Sequence, residues 1–502
     1  MKTDQLHLRI HVTQMQKTLP VMVAVVLALA SCASMAPPYA APALPVAAHY
    51  PSDVNQDGAA AAAMGWRDYF TDARLQDLIA QALENNRDLR AAVLRVEEAR
   101  AAYGIQRAEQ FPAIAAQAGS ERAHVPADLS LTGKPAMSSQ YHVSLGLASW
   151  EIDFWGRVRS LRDAALENYL ASDEARRAVT ISLVAQVANS YLALCELDER
   201  IALARLTIAS REESLRIFTR RVEVGSTSRL NLTQVQTLLS QAQALGAQLE
   251  QARALQANAL ILLVGVTLEL PATSSRLDER QMLLPLQPGL PSDLLIRRPD
   301  IVAAEHQLKA AHAQIGAARA AFFPRIALTG SFGTASAELD GLFAAGSRAW
   351  TFAPSISLPL FDAGRRSNNL SLAEARRDLA VANYEKTIQA AFRDVADALA
   401  ARQWLAQQLL IAQAALTTQT ERARLSQLRY DNGAAAYLDV LDAQRDLLVA
   451  EQQLVQIRRA LLSSQVSLYA ALGGGALDVA ATDAAGAAST RHIPSPDQHL
   501  TP

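Results

Sequence analysis

The sequence predicts a mixed α+β membrane protein built from a strand pair and a long helical hairpin, each present twice. Three observations predict it. Residues 157–265 read as one very long helical stretch folded back once. A second stretch, 365–473, repeats its landmarks. Ahead of each hairpin the periodicity switches from helical to alternating, in runs of about ten residues, the length of a tilted membrane strand.

The first hairpin rests on absences as well as on pattern. No proline falls between Pro135 and Pro271, and no glycine between Gly156 and Gly225. Val187, Leu194, Ile201, Ile208, Leu215 and Val222 stand at heptad spacing, which keeps one apolar seam against a partner helix. At 1.5 Å per residue the run up to Val222 spans ~100 Å, far beyond an ordinary globular helix. After Gly225 the pattern resumes through Leu230, Leu232, Val235, Leu238 and Leu239, so 225–228 reads as a glycine turn into an antiparallel return.

The second hairpin is a copy. Gly364, Gly433 and Gly473 follow Gly156, Gly225 and Gly265 at one common offset. Tyr430-Asp431-Asn432-Gly433 stands where Val222-Glu223-Val224-Gly225 stood, and Val440, Leu447, Leu454, Leu461 and Leu468 form its heptad line. Coincident landmarks of this kind mark a duplication.

Bulk composition narrows the class. The 502 residues are 50% hydrophobic and 19% charged with a net charge of −2, which gives no electrostatic case for nucleic acid. No internal run of eighteen apolar residues reads as a transmembrane helix, so any membrane crossing falls to strands.

In chain order, Lys2, Arg9 and Lys17 precede the apolar run 19–30, the form of an export signal over 1–31. Met15 is an alternative start, because the head before the apolar run is long. Leu29-Ala30-Ser31-Cys32 matches the bacterial lipobox, which makes Cys32 the lipidated first residue of the mature chain; the alternative is an ordinary signal with a chance cysteine. Residues 32–65, rich in Ala and Pro, read as an extended tether. The first repeat, 66–265, opens with a helical pattern over 66–107 that Phe111-Pro112 ends. Strands follow at about 113–123 and 140–152, then the hairpin 157–265. In the second of these strands Tyr141, Val143, Leu145 and Leu147 alternate with His142, Ser144 and Gly146. Residues 266–297, broken by Pro271, Pro285, Pro288 and Pro291, form a connector. The second repeat, 298–475, has a helix ended by Phe323-Pro324, strands at about 325–335 and 349–361, and the hairpin 365–473. Its strands put Ile326, Leu328 and Phe332, then Trp350, Phe352, Ile356, Leu358 and Leu360, on one face. The tail 476–502 has the Ala, Asp and Pro composition of a disordered segment.

Four strands cannot close a barrel. In hydrocarbon each unpaired backbone group costs several kcal/mol, so if these strands lie in a membrane their edges are paired by other copies of the chain. The alternative is a soluble sheet with covered edges.

Several blocks carry a resemblance. They are Ala36-Pro37-Pro38-Tyr39, Trp66-Arg67-Asp68-Tyr69-Phe70, Asn85-Asn86-Arg87-Asp88-Leu89-Arg90 and Asp153-Phe154-Trp155-Gly156-Arg157. Further on come Leu290-Pro291-Ser292-Asp293-Leu294-Leu295-Ile296-Arg297-Arg298-Pro299-Asp300, Phe361-Asp362-Ala363-Gly364-Arg365 and Ala471-Leu472-Gly473-Gly474-Gly475. With these blocks in order the chain resembles the TolC-like outer-membrane efflux channels, in their NodT or OprM-like lipoprotein branch. It departs at Ala363, where that family more often has a second glycine, and at Ala476, where an aromatic commonly follows the glycines.

The resemblance implies a homotrimer whose strands close a 12-stranded outer-membrane β-barrel above a periplasmic α-helical coiled-coil barrel, with the connector in an equatorial belt. It implies no enzyme activity and no cofactor beyond the N-palmitoyl and S-diacylglycerol lipid on Cys32. Its partners would be outer-membrane lipid, a periplasmic adaptor (a membrane fusion protein) and an inner-membrane transporter. The function implied is a passive exit duct for drugs or other small molecules, the outer-membrane channel of a tripartite efflux pump, closed at its periplasmic tip and opened by adaptor docking. The alternative is an envelope secretion or structural channel without an efflux partner. Carried over residue by residue, the docking tips are Val224, Gly225 and Ser226 with Asn432, Gly433 and Ala434, and the gate set is Tyr430, Leu438, Asp442 and Arg445. Asp442 and Arg445 are i,i+3 on one helix; by chemistry alone such a pair is a solvated face.

Nothing else in the sequence reads as chemistry. His306 and His312 lie six apart on a helix, nearly opposite one another, and Cys195 reads as core filler. Gly473-Gly474-Gly475 ends a helix, whereas a phosphate loop begins one.

Overall fold

The structure is a computed structural model that describes residues 35–47, 59–60, 64–130, 133–272, 277, 282–284, 286–287 and 298–475. The signal segment, Cys32, most of the connector and the tail beyond 475 lie outside the described residues. The elements run β1 (Ala59–Ala60), α1 (Trp66–Tyr69), α2 (Ala73–Asn85), α3 (Arg87–Ala108), β2 (Ile114–Val125), β3 (Ala136–Glu151), α4 (Arg157–Glu223) and α5 (Arg229–Val264). They continue with β4 (Leu286–Gln287), α6 (Pro299–Ala320), β5 (Arg325–Ser336), β6 (Arg348–Ser357), α7 (Arg365–Asp431) and α8 (Tyr437–Ala471). They fall into two compact units.

The duplication holds at the level of the backbone. The first helix of each hairpin, α4 and α7, has 67 residues. Each of the six repeat-bounding glycines sits at positive φ: 71°, 72° and 83° for Gly156, Gly225 and Gly265, then 85°, 71° and 76° for Gly364, Gly433 and Gly473. Only glycine holds that conformation without steric cost. Aspartates begin both long helices: the Asp153 carboxylate accepts the Arg159 backbone N–H at 2.8 Å, and that of Asp362 accepts Arg366 at 3.3 Å. Between Asp362 and Gly364, Ala363 is held at φ 51°, a left-handed conformation that costs a non-glycine residue roughly 1–2 kcal/mol.

One unit holds the sheet, with strand order β2-β3-β5-β6 and every neighbour antiparallel. The first strand, weak in sequence, pairs with β3 along its whole length, from Ile114↔Leu147 to Val125↔Ala136. The sheet ends earlier than the sequence suggests at β6, which stops at Ser357 opposite Arg325; Pro324 precedes Arg325 and leaves no strand to pair with Leu358 and Leu360. Pro354 is tolerated because β6 is an edge strand. In the same unit Ala36 lies against α6, where a Cβ on Gly316 would meet the Ala36 nitrogen at 2.8 Å, and the Tyr39 hydroxyl donates to Glu305 at 3.0 Å.

The other unit holds α1, α2, most of both hairpins and the described part of the connector. The single helix expected over 66–107 is three, because Asp72 caps α2 through Leu75 and Asn86 breaks the chain before α3. Asn86 is buried: its side-chain Oδ1 accepts the Leu89 N–H at 2.9 Å and its Nδ2 donates to the Leu263 carbonyl at 2.8 Å. Tyr69 stacks on Tyr469 with centroids 4.2 Å apart, and Gly474 is required there because a Cβ would meet the Tyr469 ring at 2.3 Å. The Ala-rich tether also supplies a short parallel pairing, Ala59↔Leu286 and Ala60↔Gln287, which no strand signal in the sequence announced.

The heptad lines run into this core. Val187, Leu194, Ile201, Val440, Leu454, Leu461 and Leu468 are all buried. One window of α4 is apolar enough to cross a bilayer by length and composition. Yet Val184, Val187, Ala188, Tyr191, Leu192, Leu194 and Cys195 are buried against the chain itself, the behaviour of a core helix. Glu196 staples the hairpins together, 3.0 Å from Arg200 on its own helix and 2.9 Å from Arg459 of α8.

Candidate functional site

Two places carry the chemistry, one in each unit. In the sheet, register places the large apolar side chains in rows. Leu145 stands opposite Phe332, and Phe332 opposite Trp350; in the next row Ile114, Leu147, Gly330 and Phe352 follow one another. These side chains are exposed: Trp350 is 69% exposed and Phe352 65%. The opposite face is small and polar. There Ser331 and Thr351 hydroxyls meet at 2.8 Å, His142 lies across Gly119, and Gly333 lies so close to β3 that a Cβ would meet the Val143 carbonyl at 2.1 Å. A sheet with large exposed apolar side chains on one face and small polar ones on the other matches a strand layer with one face against hydrocarbon.

The second place is the pair of hairpin turns. Both helices end in the same motif: the Ser226 N–H donates to Arg221 O and the Ala434 N–H to Arg429 O, each at 2.8 Å, around Gly225 and Gly433. Val224, Gly225, Ser226, Asn432, Gly433 and Ala434 are all exposed, and nothing lies within 4 Å of a Cβ built on either glycine. Just behind the turns Phe218, Val235 and Leu441 form a buried cluster with Leu215, Leu232, Leu238 and Tyr437 packed on it.

Of the residues singled out from sequence, the structure brings Asp442 and Arg445 together at 3.2 Å, with side chains 40% and 53% exposed. Arg445 is shared, since Asp446 lies 3.1 Å from it and also takes Arg422 of α7 at 2.6 Å. The Arg422 guanidinium, then Arg445, holds the Asp446 carboxyl below the ordinary aspartate range. Leu438 is exposed. Tyr430 lies in a different set of contacts: its ring is 4.8 Å from Tyr437, its hydroxyl accepts from Arg221, and the Arg221 guanidinium lies over its ring and that of Phe218 at 5.7 and 5.5 Å. Arg221, Phe218, Tyr437 and Asp446 are therefore parts of the turn region that sequence reasoning missed. Their partners lie on the other hairpin or the other arm, and only Phe218, one turn past Leu215, had a visible signal as an apolar residue beside the heptad line.

Among the described residues no group of three or more His, Cys, Asp or Glu is arranged to hold a metal. His306 faces Glu167 at 2.6 Å, and His312 packs edge-on to Tyr39.

The chain matches the model of the outer membrane efflux protein family over residues 78–266 and 290–474. It is 46% identical over 458 residues to the outer membrane protein OprJ of Pseudomonas aeruginosa, covering 90% of this chain and 94% of that protein. It is 45% identical over 467 residues to the toluene efflux pump outer membrane protein TtgI of Pseudomonas putida, covering 91% and 98%. Its fold is similar to the crystal structure of the open state of the Neisseria gonorrhoeae MtrE outer membrane channel, with a TM-score of 0.81 and 40% identity over 88% of this chain and 99% of that one.

Proposed function

Because the chain belongs to the outer membrane efflux protein family and is the outer-membrane channel component of an efflux system, we propose that it works as a passive duct in a tripartite pump. In that reading three copies join edge to edge, so that β2 of one chain pairs with β6 of the next and four strands become a closed barrel of twelve. The observation that carries it is the sheet: two open edges and an exposed apolar row of Leu145, Phe332, Trp350 and Phe352, which closure within a bilayer would satisfy together.

The lipid on Cys32 adds an anchor beside the barrel. The exposed turns at 224–226 and 432–434 are the docking points for a periplasmic adaptor, which links the duct to an inner-membrane transporter. Tyr430, Leu438, Asp442 and Arg445 form the constriction behind those turns. Neither the duct nor its polar face supplies energy; transport is driven by the transporter.

A photo-crosslinker at Ser226 or Ala434 in cells, read by mass spectrometry, tests the reading. Capture of a membrane fusion protein is the expected result. Trimers that assemble while both positions capture no such protein would overturn the tripartite assignment and leave a stand-alone channel.

A further inference from the structure

Every deeply buried charge along the α4 seam has a charged partner except one. Glu196 has Arg200 and Arg459, and Asp198 has Arg253. Arg211, also on α4 and only 2% exposed, has none. Its Nη1 meets no acceptor, and its Nη2 makes one long bond, 3.5 Å, to the Leu441 carbonyl of α8. The neighbouring acids do not help: Glu212 and Glu213 are exposed, and Glu213 is taken by Arg216 at 2.6 Å. The nearest hydroxyls are committed to each other, Ser214 to Tyr437 at 2.7 Å. Because Arg211 is enclosed within one chain, a neighbouring copy of the chain cannot reach it to supply the missing acceptor.

An arginine stays charged at any physiological pH, so this charge is held out of water with its Nη1 donors unanswered. Such a group destabilises the packing that encloses it, and replacing it by an apolar side chain of similar size is commonly neutral or stabilising. The packing in question is the contact of α4 with the first turns of α8. Leu441, whose carbonyl Arg211 touches, directly precedes Asp442.

We propose that Arg211 is a positioning residue for the constriction: a buried charge that sets the α4–α8 contact close to its breaking point, so that the second hairpin separates from the first and hydrates Arg211 when the channel opens. This rests on the constriction assigned above, three of whose four residues lie on α8. The device works without touching the pore or the cargo, and it explains why the same seam is stapled by Glu196 and left unstapled here.

The test compares wild type with Arg211→Met in the full-length trimer, by single-channel recording in planar bilayers and by hydrogen exchange of the 437–445 amides. The expected result is an open probability about tenfold lower and exchange about tenfold slower, the low end of what removal of an uncompensated buried charge gives. Arg211→Lys, which keeps the charge, is expected to behave as wild type in both readouts. An open probability that is unchanged or higher in Arg211→Met overturns the proposal, as does slowed exchange without any change in gating. Should Arg211→Met not assemble, Arg211→Gln, neutral and still able to bond Leu441, carries the same comparison. Wild-type trimers that never conduct would instead sink the channel reading, and the Arg211 proposal, which rests on it, with it.

Discussion

At the scale of single residues the turn region is a set of shared arginines. Arg445 touches both Asp442 and Asp446, so removing Asp442 does not release it. Asp442→Ala therefore isolates what the Asp442 carboxylate itself does at the proposed constriction. We expect a higher open probability in planar bilayers, because in the proposed trimer three copies of an exposed pair contribute ~0.6–3 kcal/mol in all, within reach of normal gating fluctuations. Equal recordings from wild type and Asp442→Ala would remove this residue from the constriction. The pair itself was legible in the sequence, being three residues apart on one helix. Arg211 was not: nothing in Ser210-Arg211-Glu212-Glu213 distinguishes a buried arginine from the exposed acids beside it, since its burial is decided by α8, more than two hundred positions away.

At the scale of elements, the second hairpin is tied across its two arms by Arg422 and Asp446, 2.6 Å apart. The folded carboxyl binds its proton less readily than an unfolded one, because the Arg422 hydrogen bond favours the charged form. Its stabilisation is thus complete above the ordinary aspartate value of about 3.9 and is lost as pH falls through the lower folded value. Asp446→Asn is expected to lower thermal stability by ~0.2–1 kcal/mol per chain at pH 7 and to have little effect once the wild-type carboxyl is itself protonated. Helical circular dichroism across that range checks it, and a penalty that does not shrink in acid would rule it out. Elements are the most legible level of this protein. Six glycines at a common offset mark both hairpins in the sequence, and each of the six holds a positive φ in the fold. What sequence pattern could not place was where one strand loses its neighbour, as β6 does beyond Ser357, or where a polar side chain interrupts a helix, as Asn86 does; both depend on groups supplied from elsewhere in the chain.

For the whole molecule, the sheet decides the environment. Phe352 lies midway along β6 on the apolar face, while Thr351 beside it lies on the polar face against Ser331. In the proposed barrel, Phe352→Lys places a charge near mid-membrane, where it costs ~2–4 kcal/mol per chain, and three copies multiply that. Heat-resistant trimers in outer-membrane fractions should be lost with Phe352→Lys and kept with Thr351→Lys. Equal yields from both would mean that this face does not meet lipid. The same sheet has a consequence for the chain before it assembles. A newly exported copy crosses the aqueous envelope with its greasiest surface outward and with two strands offering unanswered backbone groups to anything that fits them. Its hazard is therefore one of timing: every moment spent alone is an opportunity for aggregation, and in the proposed trimer safe biogenesis depends on how quickly the copies meet, or on what shields each of them until they do.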